Sequence, residues 1–261
     1  MDRGVQKDDD NRAEVRPMMR RRNRRWMVAI GALLVAILLE FAWIGYLGGG
    51  LFTPMRPVPY HPRPGAPVAI LWSGDMGFRV GMAPNVAARL VADGIPVVGV
   101  NSLRYFRTTR TASDASALLE AAIGQAHRIN PKARLLLVGQ SYGADMMHVA
   151  LSQLPRADRS SIGLVALVVP GATVEYRASP SEIFTFAMAE SDALPTARQL
   201  SWTPLLCIQG RDETSSLCPL LHQPNARSVA LPGGHRLNGD VDAVYAMLRT
   251  AMMRAHLIGR A

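Results

Sequence analysis

The stretch Leu135-Leu-Leu-Val-Gly-Gln-Ser-Tyr-Gly-Ala-Asp-Met-Met-His148 decides the fold of this chain. Leu135 to Val138 have the length and apolarity of a strand that is buried on both faces. From Ala144 to Gln153, apolar side chains recur at helical spacing. Between the two, Gly139-Gln-Ser-Tyr-Gly143 matches the pattern G-x-S-x-G, which is typical of a nucleophile elbow.

Sterics explain why both flanking positions of this motif are glycine. A strand-to-helix turn this sharp leaves no room for a β-carbon on either side of the serine. Such a turn exposes the Ser141 hydroxyl and directs the first amides of the helix at an anion formed beside it. Ser141 is therefore the predicted nucleophile. The alternative is a simple turn serine between two flexible glycines.

The composition bounds the number of domains and the kind of partner. With 261 residues and 49% hydrophobic content, the chain can build one sizeable core, and no internal period suggests repeats. The net charge of +9 is concentrated near the N-terminus. Residues 1–26 carry many arginines and almost nothing that could build a core, so we expect a disordered basic cytoplasmic tail and no nucleic-acid partner.

An apolar segment follows this tail. Residues 27–52 contain Glu40 as their one charged residue and are long enough to cross a bilayer as one helix. The cluster from Arg20 to Arg25 predicts that the N-terminus stays in the cytoplasm and that the rest of the chain lies across the membrane. An uncleaved anchor is favoured, because Gly48-Gly-Gly50 offers only a poor cleavage site for a signal peptide.

The next segment is rich in proline. Residues 53–67 have prolines at positions 54, 57, 59, 62, 64 and 67, which predicts an extended, semi-rigid linker. The globular domain should therefore begin at Val68 and occupy residues 68–261.

Within this domain, strand and helix patterns alternate, which indicates an α/β fold. A mostly parallel sheet of about six strands with helices on both faces is the expected architecture. Residues 175–202 break the alternation and predict an inserted cap, with a plain surface excursion as the alternative. The predicted elements are strands at 68–72, 95–100, 134–138, 164–169, 204–209 and 228–231, and helices at 84–93, 115–129 (capped by Ser113 or Asp114), 144–153 and 241–255.

Two loops hold candidate partners of Ser141. Hydrolases with this elbow carry nucleophile, acid and histidine in that chain order. Asp212 and Glu213 follow the predicted strand 204–209, and His235 follows the next one. The imidazole would take the proton from Ser141, and the carboxylate would orient the imidazole. Motif spacing favours Glu213, common usage favours Asp212, and the sequence leaves the choice open.

The oxyanion hole should combine two backbone amides. One is the amide of Tyr142, directly after the nucleophile, and the other belongs to Asp75 or Met76 in the loop after the first strand of the domain. The alternative is a βα turn that only caps the next helix.

The two cysteines are expected to form a disulfide. Cys207 and Cys218 would lie on the side of the membrane where disulfides persist, and they bracket both candidate acids. The alternative is a buried strand residue and a free thiol.

Six short strings of the domain match a known family of proteins. They are Ser73-Gly-Asp-Met-Gly77, Gly99-Val-Asn-Ser-Leu-Arg-Tyr-Phe106, Gly139-Gln-Ser-Tyr-Gly-Ala-Asp145, Cys207-Ile-Gln-Gly-Arg-Asp-Glu213, Ser216-Leu-Cys-Pro219 and Leu231-Pro-Gly-Gly-His235. With these strings, the domain resembles the VirJ/AcvB group of bacterial virulence-associated periplasmic proteins over nearly all of residues 67–255. It differs at Met76 and Asn101, where the family usually has glycine and aspartate.

This resemblance implies an α/β-hydrolase that faces the periplasm, held by one helix in the bacterial inner membrane. AcvB-like members are similar to hydrolases of lysyl-phosphatidylglycerol, and VirJ-like members are linked to type IV secretion. Three functions follow as expectations: an aminoacyl-phospholipid esterase, a broad-specificity carboxylesterase, or a non-catalytic adaptor for secretion proteins. Triad catalysis needs no cofactor and no metal.

A lysyl ester would require negative charge near the nucleophile. Asp145 lies one helical turn after Ser141 and, with Asp75, is the candidate for receiving ammonium groups. Tyr105, Phe106 and Tyr142 would offer aromatic faces to the same cation. The alternative is that Asp145 only complements the helix dipole.

Overall fold

The structure is a computed structural model that describes residues 5–178 and 190–259, with side chains from residue 24 onward. Contacts divide the chain after Trp43 into an N-terminal helix and a domain that begins at Ile44.

The N-terminal unit is one helix, α1, from Val5 to Trp43, 39 residues long. Its part from Arg24 to Trp43 is 20 residues with a mean hydropathy of 2.2 and no buried residues, long and apolar enough to cross a membrane. The expected disordered tail is thus helical from Val5. Arginine, lysine, methionine and alanine are good helix formers, and extending an existing helix is easier than nucleating one. The helix also ends at Trp43, earlier than the predicted boundary at residue 52.

A seven-stranded sheet organises the domain. Along the sheet, the order is β1-β3-β2-β4-β5-β8-β9, and β6 pairs with β7 outside it. Neighbouring strands of the main sheet run parallel to each other, except for the pair β1 and β3, which is antiparallel. The strands are β1 (Phe52–Met55), β2 (Pro67–Trp72), β3 (Val97–Val100), β4 (Arg134–Gln140), β5 (Ile162–Val168), β6 (Thr173–Glu175), β7 (Glu190–Asp192), β8 (Leu205–Gly210) and β9 (Ala226–Leu231).

The antiparallel edge strand β1 was not expected, because its residues fall at the start of the predicted linker. Phe52 pairs with Val100 and Met55 with Val97. Pro54 is tolerated there because an edge strand leaves one side of its backbone unpaired. The six parallel strands match the prediction, and the first residues of the linker add a seventh.

Helices cover both faces of the sheet, as predicted. Leu119 of α4 and Met147 of α5 belong to one buried cluster, and Leu90 of α2 and Leu248 of α8 belong to the other. The described residues form the domain helices α2 (Ala83–Ala92), α3 (Ser102–Phe106), α4 (Ala112–Ile129), α5 (Tyr142–Gln153), α6 (Arg156–Arg159), α7 (Leu194–Ala197) and α8 (Val241–Arg254).

Helix α4 begins three residues before its predicted start. Its cap is Thr111, whose Oγ1 accepts a hydrogen bond from the Asp114 amide at 3.1 Å. The Asp114 carboxylate in turn accepts from the Thr111 amide at 2.8 Å. This reciprocal capping box satisfies two backbone donors, more than a cap at Ser113 or Asp114 alone would.

The predicted cap at 175–202 is described only in part, since residues 179–189 lie outside the described residues. The strands β6 and β7 that flank this gap pair antiparallel. Helix α7 packs next to α5, where His148 Nδ1 and Thr196 Oγ1 are 2.9 Å apart. Burial lowers the pKa of His148 to about 3, so this imidazole is neutral.

Candidate active site

Ser141 lies between β4 and α5, at the carboxyl edge of the sheet. Its backbone has φ 52° and ψ −126°, a conformation that non-glycine residues rarely adopt. The amide of Ser141 donates to the Val168 carbonyl of the neighbouring strand at 2.8 Å, which holds the turn in place. Such a costly conformation is typical of a nucleophile elbow.

The glycines on either side of the elbow are required by close contacts. A β-carbon on Gly139 would lie 2.5 Å from the Gly143 carbonyl oxygen. A β-carbon on Gly143 would lie 2.3 Å from the Ser73 carbonyl oxygen and 2.6 Å from that of Trp72. Either substitution would therefore push the nucleophile helix away from the sheet.

Three side chains form a hydrogen-bonded chain at this edge. Ser141 Oγ lies 2.7 Å from His235 Nε2, and His235 Nδ1 lies 2.6 Å from Glu213 Oε1. The structure thus distinguishes the two candidate acids: Glu213 is in contact with the imidazole, whereas Asp212 is exposed. The side chain of Glu213 is 7% exposed and that of His235 is 52% exposed, so the acid is shielded and the base can be reached from solvent.

The loops that carry Glu213 and His235 are joined through their backbones. The amide of Arg211 donates to the Leu231 carbonyl at 2.7 Å, and that of Asp212 donates to the Gly233 carbonyl at 3.1 Å. Gly210 permits this approach, because a β-carbon there would lie 2.3 Å from the Gly234 carbonyl oxygen. These contacts continue the β8–β9 pairing beyond the strands and fix the distance between acid and base.

A disulfide joins Cys207 in β8 to Cys218, and both residues are fully buried. The closed loop contains Glu213, whose second carboxylate oxygen also accepts from the Gly210 amide at 3.2 Å. The Cys218 carbonyl accepts from the Ser228 hydroxyl of β9 at 2.7 Å. The acid loop is therefore tied to the sheet at both of its ends.

Electrostatics around His235 favour its protonated form. The hydrogen bond that His235 Nδ1–H donates to Glu213 raises the pKa of His235, and the negative charges of Glu213 and Asp75 act in the same direction. Partial burial of the ring opposes these effects but is smaller than the hydrogen bond. A histidine tuned in this way accepts a proton more readily than an isolated imidazole does.

Ser141 and His235 open into a cavity of about 680 Å³. Its charged residues besides His235 are Asp75 and Arg236. The apolar part of the wall comes from the loop after β2, from the end of β5, and from the segment that leads into α8. These apolar residues are Met76, Val80, Met82, Val169, Leu237 and Val241.

The loop after β2 lies against the nucleophile, as an oxyanion loop must. A β-carbon on Gly74 would lie 3.5 Å from Ser141 Cβ, and Asp75 and Met76 both line the cavity. The positive φ angles of this loop, 78° and 82°, fall on Gly77 and Gly81. Methionine at position 76 is therefore compatible with the turn. The other candidate amide, that of Tyr142, is in the first turn of α5, where helical amides point at the site.

Three predicted substrate contacts have other roles in the structure. Phe106 is fully buried and packs against the Tyr142 ring, with centroids 5.5 Å apart. The Tyr105 ring is covered by the Arg110 guanidinium at 4.7 Å, and its hydroxyl donates to the Asp114 carbonyl. These aromatic residues belong to the core and its margin, because Phe106 packs against α5 and Tyr105 contacts α4.

Asp145 accepts a hydrogen bond from the Gly171 amide at 2.8 Å, which ties the loop after β5 to α5. Burial raises the pKa of the Asp145 carboxyl well above its usual range, and the Gly171 hydrogen bond opposes that shift. This hydrogen bond gives Asp145 a structural role that differs from the predicted alternative of complementing the helix dipole, and a carboxyl group engaged in this way is poorly placed to receive an ammonium group.

Besides Asn85, the sequence analysis missed two polar residues of the cavity wall that adjoin the triad in sequence, Gln140 and Arg236. Gln140 Oε1 accepts from the Ala83 amide at 3.0 Å and so fixes the start of α2. Each is the immediate sequence neighbour of a triad residue. That adjacency was the one available signal, and it does not reveal on which side of a turn a side chain projects.

Comparison with known proteins supports the fold and the family. The family model described as "Bacterial virulence protein (VirJ)" matches residues 66–256. Among curated proteins, no sequence matches the chain. Solved structures with the α/β-hydrolase fold align over most of the chain.

One of these is Est1E from Butyrivibrio proteoclasticus, with a TM-score of 0.56 at 11% identity, covering 79% of this chain and 94% of that one. A serine hydrolase described as lacking a lid, from Xanthomonas campestris, has a TM-score of 0.51 at 16% identity and covers 78% of this chain and 88% of its own. An esterase domain from Rhodothermus marinus has a TM-score of 0.50 at 17% identity, covering 77% and 90%. At these identities the similarity establishes the fold.

Proposed function

The chain belongs to the VirJ family of bacterial virulence proteins, and from this membership and the geometry of the site we propose that it is a serine ester hydrolase. The observation that carries the proposal is the unbroken hydrogen-bonded chain from Ser141 through His235 to Glu213. A strained serine, a histidine and a shielded carboxylate in this order are the parts that acyl transfer requires.

The proposed reaction has two halves. His235 Nε2 takes the proton from Ser141 as the serine oxygen attacks the ester carbonyl, and Glu213 stabilises the imidazolium that results. The oxyanion is stabilised by the Tyr142 amide and by an amide of Asp75 or Met76. The imidazolium then protonates the departing alcohol. In the second half, His235 activates a water that cleaves the acyl-serine and regenerates the hydroxyl.

We place the catalytic domain on the periplasmic side of the inner membrane. The helix from Arg24 to Trp43 supports an anchor, and the arginines at its N-terminal end support a cytoplasmic N-terminus. The disulfide between Cys207 and Cys218 is consistent with an oxidising compartment on the other side.

An aminoacyl-phospholipid such as lysyl-phosphatidylglycerol remains the proposed substrate, on the strength of the family resemblance. Asp75 is the acidic residue of the cavity lining and replaces Asp145 as the candidate contact for an ammonium group. A broad-specificity carboxylesterase is the second candidate, supported by the mainly apolar cavity wall. The two differ in whether Asp75→Asn weakens hydrolysis of a lysyl ester more than that of a neutral ester.

The deciding experiment compares Ser141→Ala, His235→Ala and the double variant with the unmodified protein. We expect each single change to abolish hydrolysis of a short-chain p-nitrophenyl ester and labelling by a fluorophosphonate, with circular dichroism unchanged. The double change should add little, because the residues act as a unit. Full activity of Ser141→Ala would refute the triad, and secretion or virulence that survives this change would support the adaptor function instead.

A further inference from the structure

Arg236 is a cation in the wall of the catalytic cavity that the triad mechanism does not use. It follows His235 directly and lines the same cavity as Ser141. Two other arginines of the domain form ion pairs: Arg89 with Asp242, and Arg249 with Asp93. Within the described part of the chain, the Arg236 side chain has no hydrogen-bond or ion-pair partner. Its charge is therefore available to a ligand of the cavity.

The turn after Arg236 fixes which way this residue faces. Leu237 and Asn238 both have positive φ, 48° and 52°, although neither is glycine. Leu237 is 1% exposed and inserts into the core between the sheet and α8. Two consecutive residues in such a conformation persist only where the surroundings hold them, and they are common beside functional sites. The buried leucine anchors the turn and leaves Arg236 at the cavity.

The surroundings of Arg236 suit an anion. The N-terminal end of α2 borders the same cavity through Met82 and Asn85, and its dipole adds positive potential. Arg236 is exposed, so a ligand can reach its guanidinium from solvent, and Asp75 is the acidic residue of the same cavity lining. A guanidinium offers a planar fork of donors that matches the oxygens of a phosphate or a carboxylate.

We propose that Arg236 forms an anion subsite of the catalytic cavity, so that the preferred substrates are esters that carry a phosphate or carboxylate group close to the reacting bond. This inference rests on the proposed ester hydrolase function and narrows its substrate class to acidic esters. Arg236 is a specificity-determining residue, since it binds the substrate beside the reacting atoms and takes no part in proton transfer.

The test measures binding separately from turnover. In the Ser141→Ala protein, the dissociation constants of 1-butyryl-glycerol 3-phosphate and of uncharged 1-butyryl-glycerol are measured by calorimetry. We expect the phosphorylated ester to bind about tenfold more tightly, as one charge-assisted hydrogen-bonded pair provides. Arg236→Gln should remove that preference and leave the neutral ester within twofold. Arg236→Lys should restore part of it, and 3-butyryloxypropanoate distinguishes a carboxylate from a phosphate as the bound group.

Arg227→Gln is the matched control, because it removes the same charge from an exposed position in β9. It should preserve the preference for the phosphorylated ester. The subsite would be refuted if the Ser141→Ala protein that retains Arg236 bound both esters with equal affinity. It would also be refuted if Arg236→Gln weakened the binding of both esters equally. Turnover in the protein that retains Ser141 tests the hydrolase function independently, since failure to hydrolyse either ester would refute that function and leave the binding comparison valid.

Discussion

The loops on the two sides of Ser141 are built differently. On one side, the segments after β8 and β9 that carry Glu213 and His235 are held by backbone hydrogen bonds, by a glycine contact and by the disulfide. On the other side, the loop after β2 turns through a hydrogen bond from the Gly77 amide to the Gly74 carbonyl at 3.2 Å. The acid and base are thus fixed by cross-links between two strands, and the oxyanion loop by a local turn.

This contrast corresponds to the tasks of the two sides. Proton transfer requires His235 and Glu213 to keep hydrogen-bond distance through the reaction, which cross-linked loops ensure. The oxyanion loop supplies backbone amides, so its side chains can vary as long as its path is kept. Side-chain substitutions should therefore reduce activity on the side of Glu213 and His235. On the side of the loop after β2, only substitutions that disturb the backbone path should have a large effect.

The largest effect is expected from the acid. Glu213→Gln should lower kcat by two to four orders of magnitude, because the amide cannot stabilise the imidazolium. Asp212→Asn should change kcat by less than about threefold, because this exposed side chain does not contact His235. Steady-state kinetics on a short-chain ester measure both. A larger loss in Asp212→Asn than in Glu213→Gln would reverse the assignment of the acid.

The same side should control the pH dependence. Neutral His235 is the active form, so kcat/KM should fall about tenfold per pH unit below the raised pKa of His235. The contribution of the His235–Glu213 charge pair to folding stability has the opposite pH dependence. It is fully present below the pKa that His235 has in the unfolded chain, and it is lost as pH rises through the higher pKa of His235 in the folded protein. An NMR titration of His235 in Glu213→Gln should give a lower pKa. An unchanged value would mean that Glu213 does not cause the shift.

Removing the disulfide should cost stability. Because the two cysteines are 11 positions apart in the sequence, the double change Cys207→Ala and Cys218→Ala should destabilise the domain by about 3 kcal/mol. Calorimetry should show Tm lower by about 5 to 10 °C. We also expect lower kcat at temperatures where the protein is still folded, because Glu213 loses one of its tethers. A lower Tm with unchanged kcat would limit the disulfide to a role in stability.

The smallest effects concern the loop after β2, where a pair of variants separates backbone path from side chain. Gly77→Ala should destabilise the domain by about 1 to 3 kcal/mol, because this residue has φ 78° and an added β-carbon would lie 2.4 Å from the Ile44 carbonyl oxygen. Met76→Gly should stay within about threefold of the original kcat/KM, since position 76 does not carry the positive φ. Urea unfolding measures the stability of both variants, and ester kinetics measure their kcat/KM. Equal losses of stability in Gly77→Ala and Met76→Gly would contradict the conclusion that a local turn at Gly77 fixes this loop.

Much of this site could be predicted from the sequence because its signals are local. The elbow, the chain order of the triad and the alternation of strands and helices are all written in short segments. The choice between Glu213 and Asp212 required the structure, because adjacent residues differ in which side of a turn they face. Tyr105 and Phe106 were misassigned for a related reason: helix α3 turns both side chains toward the core, and short aromatic strings do not indicate which face is buried.

Arg236 and β1 escaped prediction for another reason. The role of Arg236 depends on a turn in which Leu237 and Asn238 both have positive φ. The residue types at these positions do not predict such a conformation. The strand at Phe52–Met55 contains a proline, and a proline-rich composition correctly predicts an extended chain without predicting what it pairs with.

The pairing of β1 with β3 has a consequence for how the domain could be released from its N-terminal helix. Residues 52–55 shield the outer backbone groups of Val97–Val100, which would otherwise form an open sheet edge. Proteolytic shedding within the proline-rich segment after Met55 would therefore detach the strand that protects this edge and leave a surface prone to self-association. A soluble form that keeps this edge covered has to retain the chain from Phe52, so residues 52–55, which a domain boundary at Val68 would discard, protect the domain against aggregation.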